Sequence, residues 1–179
     1  MRLTREFPAN PHAVVFHAEQ RLTDRIVETF FPDQPQRAPG PVWATSLLEV
    51  PGVRVLSINA YKIRVQKMRD IGWCRLLPNL ERVLHDQLTV GETITDLREK
   101  ECRKRAFAWH GPDLDRKVFE GRDAARHNRI ARPLFELPGV AEVVLDGHCV
   151  EVRKCPLYTW EQLAGAVETV IEQARAASL

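Results

Sequence analysis

Three observations predict an α+β protein made of two tandem ββαββα units, each a small antiparallel sheet with two helices packed on one face. The first is the stretch Leu134-Phe135-Glu136-Leu137-Pro138-Gly139-Val140, whose near-twin Leu47-Leu48-Glu49-Val50-Pro51-Gly52-Val53 lies 87 residues upstream. The second is that the same offset carries Leu56 onto Val143, Ile58 onto Leu145, Ile63 onto Val150, Val65 onto Val152, Lys67 onto Lys154, Trp73 onto Trp160 and Leu76 onto Leu163 without a gap. The third is a change of period inside each match, from the alternation of strands to the three-and-four spacing of a helix. An ungapped match of that length marks one supersecondary unit used twice, and two long copies suit tandem domains better than a solenoid. The expected boundaries are 1–88 for the first domain, 89–104 for a charged connecting segment and 105–179 for the second domain.

In the first unit, Ala13 to Phe16 and Ile26 to Phe31 read as two short strands, rich in Val, Ile, Phe and Thr between turn-forming residues. Prolines at 32, 35, 39 and 41 make the following stretch a loop. Pro41 suits the first position of a helix, where a missing N–H costs nothing, and Pro51-Gly52 closes that helix after Val50. Arg54 to Ile58 and Tyr61 to Lys67 then alternate as half-buried strands, with Asn59-Ala60 expected at the hairpin turn. Trp73, Leu76, Leu77, Leu80, Val83 and Leu84 recur at helical spacing, but Pro78 falls in the interior, where it costs about 3 kcal/mol. Either a kink or a start delayed to Pro78 is expected.

The segment Thr89 to Arg105 has no counterpart in the other unit, and it places acids before bases, an order that suits a helix dipole. It is expected to be a solvated connecting helix. The second unit follows with strands at Ala106 to His110 and near Lys117 to Glu120, both expected to be shorter than in the first, then the charged stretch Gly121 to Arg129 in place of the proline-rich loop. Asp146-Gly147 is the expected turn between Ala141 to Leu145 and His148 to Lys154. Thr159 with Gln162 forms a capping box for the last helix, whose stripe runs Trp160, Leu163, Val167, Val170, Ile171 and Ala174.

Composition narrows the function classes. A formal net charge of +2 is too small to imply nucleic acid. The N-terminus lacks a signal-type apolar run and no stretch approaches the roughly 20 apolar residues of a membrane span, so a soluble cytoplasmic protein is expected. The four cysteines, Cys74, Cys102, Cys149 and Cys155, show no paired spacing, which points to reduced thiols and away from a disulfide framework.

The order strand, strand, helix, strand, strand, helix resembles the N-terminal domain of Nfu/NifU-type scaffold proteins. The resemblance is carried by Asn10-Pro11-His12-Ala13-Val14-Val15-Phe16, by the twin Pro-Gly stretches, by the hairpin Val143 to Lys154 and by Trp160 opening the last helix; the second unit lacks the Asn-Pro opening. In that family the iron–sulfur cluster is carried by a separate domain through a Cys-x-x-Cys motif, which this chain lacks. The resemblance therefore implies an accessory or partner-recognition module with a protein partner, such as an iron–sulfur assembly or recipient protein. Iron or an iron–sulfur cluster enters by family association only, and no cofactor is expected in this chain.

Candidate chemistry is sparse. His148, Cys149 and Cys155 are the best metal-ligand types, yet His148 and Cys149 point to opposite faces of a strand and Cys155 lies six residues on, roughly 20 Å away. His148 aligns with Tyr61, an inward position filled by an amphipathic ring. Cys74 and His85 are separated by about 16 Å along a helix, beyond proton-transfer reach. Paired carboxylates such as Asp113 with Asp115, or Glu99 with Glu101, read as solvated surface. No catalytic residue is expected, and an enzyme would need a site in the groove between the units. Lys62, Arg64 and Gln66 alternate outward from the strand whose Ile63 and Val65 face in; their counterparts are Cys149, Glu151 and Arg153. Lys62, Arg64 and Arg153 are the candidate interaction residues.

Overall fold

The computed structural model describes residues 1–25, 28–32, 41–91, 93–97 and 102–177, with only the backbone of Glu28. It is an α+β structure with two sheets and five helices. The first sheet holds β1 (Leu3–Glu6), β2 (Ala13–Ala18), β3 (Glu28–Phe30), β4 (Val53–Asn59), β5 (Lys62–Lys67) and β6 (Thr95–Asp96), in the order β3-β4-β5-β2-β1-β6. The second holds β7 (Lys104–Ala108), β8 (Leu114–Phe119), β9 (Val140–Gly147) and β10 (Cys149–Lys154), in the order β7-β10-β9-β8. Four strands of the first sheet, β3-β4-β5-β2, thus follow the same chain-order pattern as β8-β9-β10-β7.

One face of each sheet is apolar because alternation places every second residue there. Across the first sheet Phe16, Ile63 and Ile58 stand in register, as do Val14, Val65 and Leu56. They pack with Leu47 of α1 (Val42–Leu48) and with Leu76, Leu80 and Leu84 of α2 (Trp73–Leu88) in one core. The second core joins Phe107, Val143, Leu145, Val150 and Val152 to Leu134 and Phe135 of α4 (Ala131–Glu136) and to Val167 and Ile171 of α5 (Trp160–Ala176). Each such fully buried side chain contributes about 1.5–3 kcal/mol.

Several local bonds recur at the 87-residue offset. The Gly52 carbonyl accepts from Met68 N at 2.8 Å, and the Gly139 carbonyl from Cys155 N at 2.7 Å. Gly52 and Gly139 have φ of +102° and +91°. A Cβ on Gly52 would meet Ile71 Cδ1 at 2.5 Å, and one on Gly139 would meet the Tyr158 ring at 2.6 Å. The Pro-Gly pair therefore recurs because the chain needs both a left-handed turn and a bare Cα there. Trp73 and Trp160 each donate their indole N–H to a carbonyl just before the strand beside the hairpin, Pro11 at 2.9 Å and Cys102 at 2.7 Å.

The structure corrects several expectations. The first sheet has six strands, not four: β1 pairs antiparallel with β2, and β6 pairs parallel with β1. No connecting helix forms within the described part of Thr89 to Arg105. Thr89 instead caps α2 in the left-handed conformation (φ +51°), and the chain returns as β6; residues 98–101 lie outside the described ones. The acid-before-base order lost to the apolar Val90 and Ile94, which are buried in the first core.

Helix α2 starts at Trp73 rather than Pro78. Pro78 is exposed, so the carbonyl it leaves unbonded can face water. Both hairpin turns sit one residue later than expected, at Ala60-Tyr61 and Gly147-His148, since Asn59 pairs Lys62 and Asp146 pairs Cys149. The second-half strands lie at 104–108 and 114–119 instead of 106–110 and 117–120, and β8 is longer than β3. Within Gly121 to Arg129 a short helix, α3 (Arg122–Ala125), replaces a loop. Of the strand expected at Ile26 to Phe31, positions 26 and 27 lie outside the described residues, as does most of the proline-rich loop.

Candidate functional site: the cleft between the two sheets

The two halves meet through unlike surfaces. From the first half comes the tip of the β4–β5 hairpin, where Ala60 and Tyr61 are buried with Cys155 in a small cluster backed by Ala141, Leu157 and Tyr158. From the second comes the turn between α4 and β9. Gly139 N donates to the Tyr61 hydroxyl at 2.8 Å, and the rings of Tyr61 and Tyr158 meet edge to face with centroids 6.4 Å apart. Arg21 lies over the Tyr61 ring at 5.1 Å and donates to the Phe135 carbonyl at 2.7 Å. The Tyr158 hydroxyl donates to the Glu19 carbonyl at 3.0 Å. Burial, then the neighbouring Tyr61, raise the Tyr158 pKa, which keeps this donor protonated.

Beside this contact opens a cleft of about 390 Å³, lined on one side by His17, Asn59, Tyr61 and Lys62. Arg103, Lys104, Glu142, Arg153, Lys154 and Cys155 are among the residues of its other wall. Register explains the first wall: His17 pairs Lys62, and Lys62 pairs Asn59, so all three project from the face of the first sheet opposite the core. Glu142 and Arg153 pair likewise on the second sheet.

Ion pairs and a histidine–carboxylate hydrogen bond hold most of the charged side chains in this lining. His17 Nε2 lies 2.6 Å from Glu6 Oε2, and the same oxygen accepts from Arg103 at 3.1 Å. Burial lowers the His17 pKa against the pull of Glu6, with Arg103 and Lys62 lowering it further. Burial works to raise the Glu6 pKa, but the His17 hydrogen bond and the Arg103 charge outweigh it and the net shift is downward. At neutral pH the pair is thus a neutral imidazole donating to a carboxylate. Arg153 pairs Glu142 at 2.9 Å, and Lys104 pairs Glu151 at 2.7 Å.

Lys62 differs from its neighbours. Among the described residues its side chain makes no hydrogen bond or ion pair, although the residue remains more than a third exposed at the cleft mouth. Its pKa is lowered, first because the surrounding walls exclude water and then because Arg153 repels it.

Of the expected interaction residues, the structure brings Lys62 and Arg153 together across the cleft and leaves Arg64 out of its lining. Arg64 stands in register with Val15 and Ser57, and its buried Nε finds no partner among the described residues. The weak metal candidates are dispersed. Cys155 is buried, and its thiol donates to the Ala18 carbonyl at 3.4 Å; Cys149 is half-buried on the outer face of the second sheet; His148 is exposed at the turn. His148 was expected to face inward like Tyr61, and this fails because no second surface among the described residues covers that tip. Among the described residues no group of three or more His, Cys, Asp or Glu is placed to hold a metal ion, and no helix is long and apolar enough to cross a membrane.

Sequence reasoning missed Glu6, His17, Arg21, Arg103 and the role of Tyr61. One signal was present: an aromatic residue at the tip of a hairpin, where the equivalent position carries His, marks a turn that is covered.

No family model matches the chain, and no curated protein matches it. Among solved structures, the crystal structure of protein SAV1430 from Staphylococcus aureus is similar at 20% identity with a TM-score of 0.41, covering 47% of this chain and 99% of that one. The solution structure of SAV1430 gives 20% identity and a TM-score of 0.37 over 46% of this chain and 89% of that one. SeR13 from Staphylococcus epidermidis gives 20% and 0.36, covering 48% of this chain and 98% of that one.

Proposed function

We propose that this chain is a non-enzymatic accessory or adaptor protein of two tandem ββαββα units of Nfu/NifU N-terminal type, working in the cytoplasm through protein–protein contacts in iron–sulfur cluster assembly or delivery. The observation that supports it most is the cleft. Its charged lining is largely paired within each half, with Arg103–Glu6 reaching across, while among the described residues the Lys62 side chain has no partner at the mouth, an arrangement suited to recognition. The cluster, on this reading, is a partner's cargo. Cys155 is spent on the Ala18 carbonyl and Cys149 lies six residues away along β10 in a neighbouring pocket, so several thiolates do not converge as a cluster requires.

Two measurements test this. A photo-crosslinking side chain at position 62, with one at the remote exposed position 166 as control, should capture a cysteine-ligated cluster protein in the native cell from position 62 alone. The same product from both positions refutes the reading. Offered iron and sulfide without oxygen, the purified chain should stay colourless; a stoichiometric brown chromophore lost in Cys149→Ser would make it a cluster carrier instead.

A second reading, an enzyme with its site in the groove, is favoured by one observation: His17, held by Glu6, lines the same cleft as Cys102. It requires that Cys102 be activated by His17. Alkylation of Cys102 that titrates as a free thiol and ignores His17→Gln rules it out.

A further inference from the structure

Among the described residues the cleft wall carries five basic side chains, Lys62, Arg103, Lys104, Arg153 and Lys154, and one acid, Glu142, with Arg103 and Lys154 engaged by other groups as well. Three of the nearby carboxylates are already used, and a fourth, Glu120, reaches Lys62 only through its field. Glu142 pairs Arg153, Glu151 pairs Lys104, and one Glu6 oxygen serves both His17 and Arg103. Lys62 meets only the field of these groups, in which Arg153 and Arg103 repel it while Glu120 and Glu142 attract it. A shielded ammonium beside two guanidinium groups is costly until an anion arrives, and that cost is recovered by any carboxylate that enters.

From this geometry we propose that the cleft at Lys62, Arg153 and Arg103 is the docking site for an acidic peptide segment of the partner, its Asp or Glu carboxylates seated on Lys62. The proposal rests on the adaptor reading above and specifies the chemistry of its recognition surface. The cations come from three separate stretches, β5, β10 and the segment before β7, so they line a trough rather than one point. The volume of about 390 Å³ has room for a few side chains and is at the small end for a cofactor pocket. Tyr61, Ala141 and Pro156 supply apolar wall for the methylene stems of Glu. Charge complementarity is the argument for a carboxylate-bearing segment.

The test uses the full chain and a fluorescein-labelled peptide, Glu-Glu-Gly-Glu-Glu-Gly, followed by anisotropy, with the Gln-for-Glu peptide as control. The Glu peptide should bind and the Gln peptide should not, and affinity should fall about tenfold between 50 mM and 500 mM salt, as expected for a partly exposed charge contact. Lys62→Glu should abolish binding, Lys62→Met should weaken it about tenfold, and Lys62→Arg should restore it. Among the described residues the Lys62 side chain holds no ion pair, so these variants should stay close to the wild-type melting temperature, which is measured alongside. Equal binding of wild type and Lys62→Glu overturns the proposal. So does inorganic phosphate or citrate that displaces the peptide at or below the peptide's own dissociation constant, since the site would then serve a free anion. Protein crosslinks from position 62 with no peptide binding would defeat this inference alone; absence of both would defeat the adaptor reading with it.

Discussion

Tyr61 and His148 occupy the same place in two hairpins and have opposite environments. Tyr61 is 4% exposed and holds the Gly139 amide, whereas His148 stands in solvent. The two turns also differ in backbone: Gly147 takes φ +55°, while neither Ala60 nor Tyr61 has positive φ. At both tips the chain beside the hairpin donates to the bend, Ala18 N to the Tyr61 carbonyl and Trp109 N to the His148 carbonyl, each at 2.8 Å. The free tip adds the local turn chemistry of Asp-Gly, which the covered tip can do without because the Ala60 carbonyl also accepts from Leu22 N at 2.7 Å and the Tyr61 hydroxyl from Gly139 N. Long-range contact can replace local propensity at one copy of an element and leave the other to its own sequence.

The strongest way to break the comparison is through the cores, where the two halves should behave alike. Ile63→Asp or Val150→Asp buries a carboxylate without a partner and should cost about 4 kcal/mol or more, unfolding its own half as read by urea titration and amide exchange. Lys62→Asp, one residue away on the opposite face, should cost about 1 kcal/mol or less. Equal losses from Lys62→Asp and Ile63→Asp would show the strand faces to be reversed.

Next come the turn glycines. Gly139→Ala meets a rigid Tyr158 ring and should cost about 3 kcal/mol, while Gly52→Ala meets the flexible end of Ile71 and should cost about 1–2 kcal/mol, both at positive φ. Gly139→Ala should also loosen the junction between halves, seen as faster exchange of the 139 amide; Gly52→Ala should leave that amide unchanged.

Tyr61→Phe strands the buried Gly139 N–H and should cost about 1–3 kcal/mol. His148→Phe should change stability by about 0.5 kcal/mol or less. Similar losses at the two tips would mean that the covered and free turns are not energetically distinct.

The smallest effect is acid sensitivity. His17 is depressed below its ordinary value, so the unfolded chain binds a proton first, and stability present at neutral pH should decline as pH falls below about 6.5. Glu6, also depressed, adds a further loss below about 4.5. In His17→Gln the upper step should disappear from the pH dependence of the melting temperature while the lower one persists.

The repeated layer was legible because each of its determinants is local: alternation over a hairpin, a Pro-Gly turn, and a stripe on a helix. The cleft was not. Tyr61 reaches Gly139 across 78 residues, and Arg21 reaches Phe135 across 114, with no periodicity to announce either. Lys62 and Arg153 could be read as outward-facing one at a time, but their convergence depends on how the sheets dock. Strands β1 and β6 escaped for another reason. Four residues with one core side chain, and two residues with none, carry too little pattern to be distinguished from loop.

The junction between the halves has a direction. A hairpin tip of one layer plugs the Pro-Gly turn of the next, and a contact between unlike surfaces can in principle add members without limit. Here both outer ends are altered. The forward tip carries His148 in place of the plugging Tyr, and the rear turn carries Ile71 and the exposed Met68 where the joined one has Tyr158 and Cys155. Among the described residues socket and plug meet once, and a second junction of the same kind would find no Tyr hydroxyl at the forward tip to hold a turn amide, much as an altered face limits the growth of a repeat array.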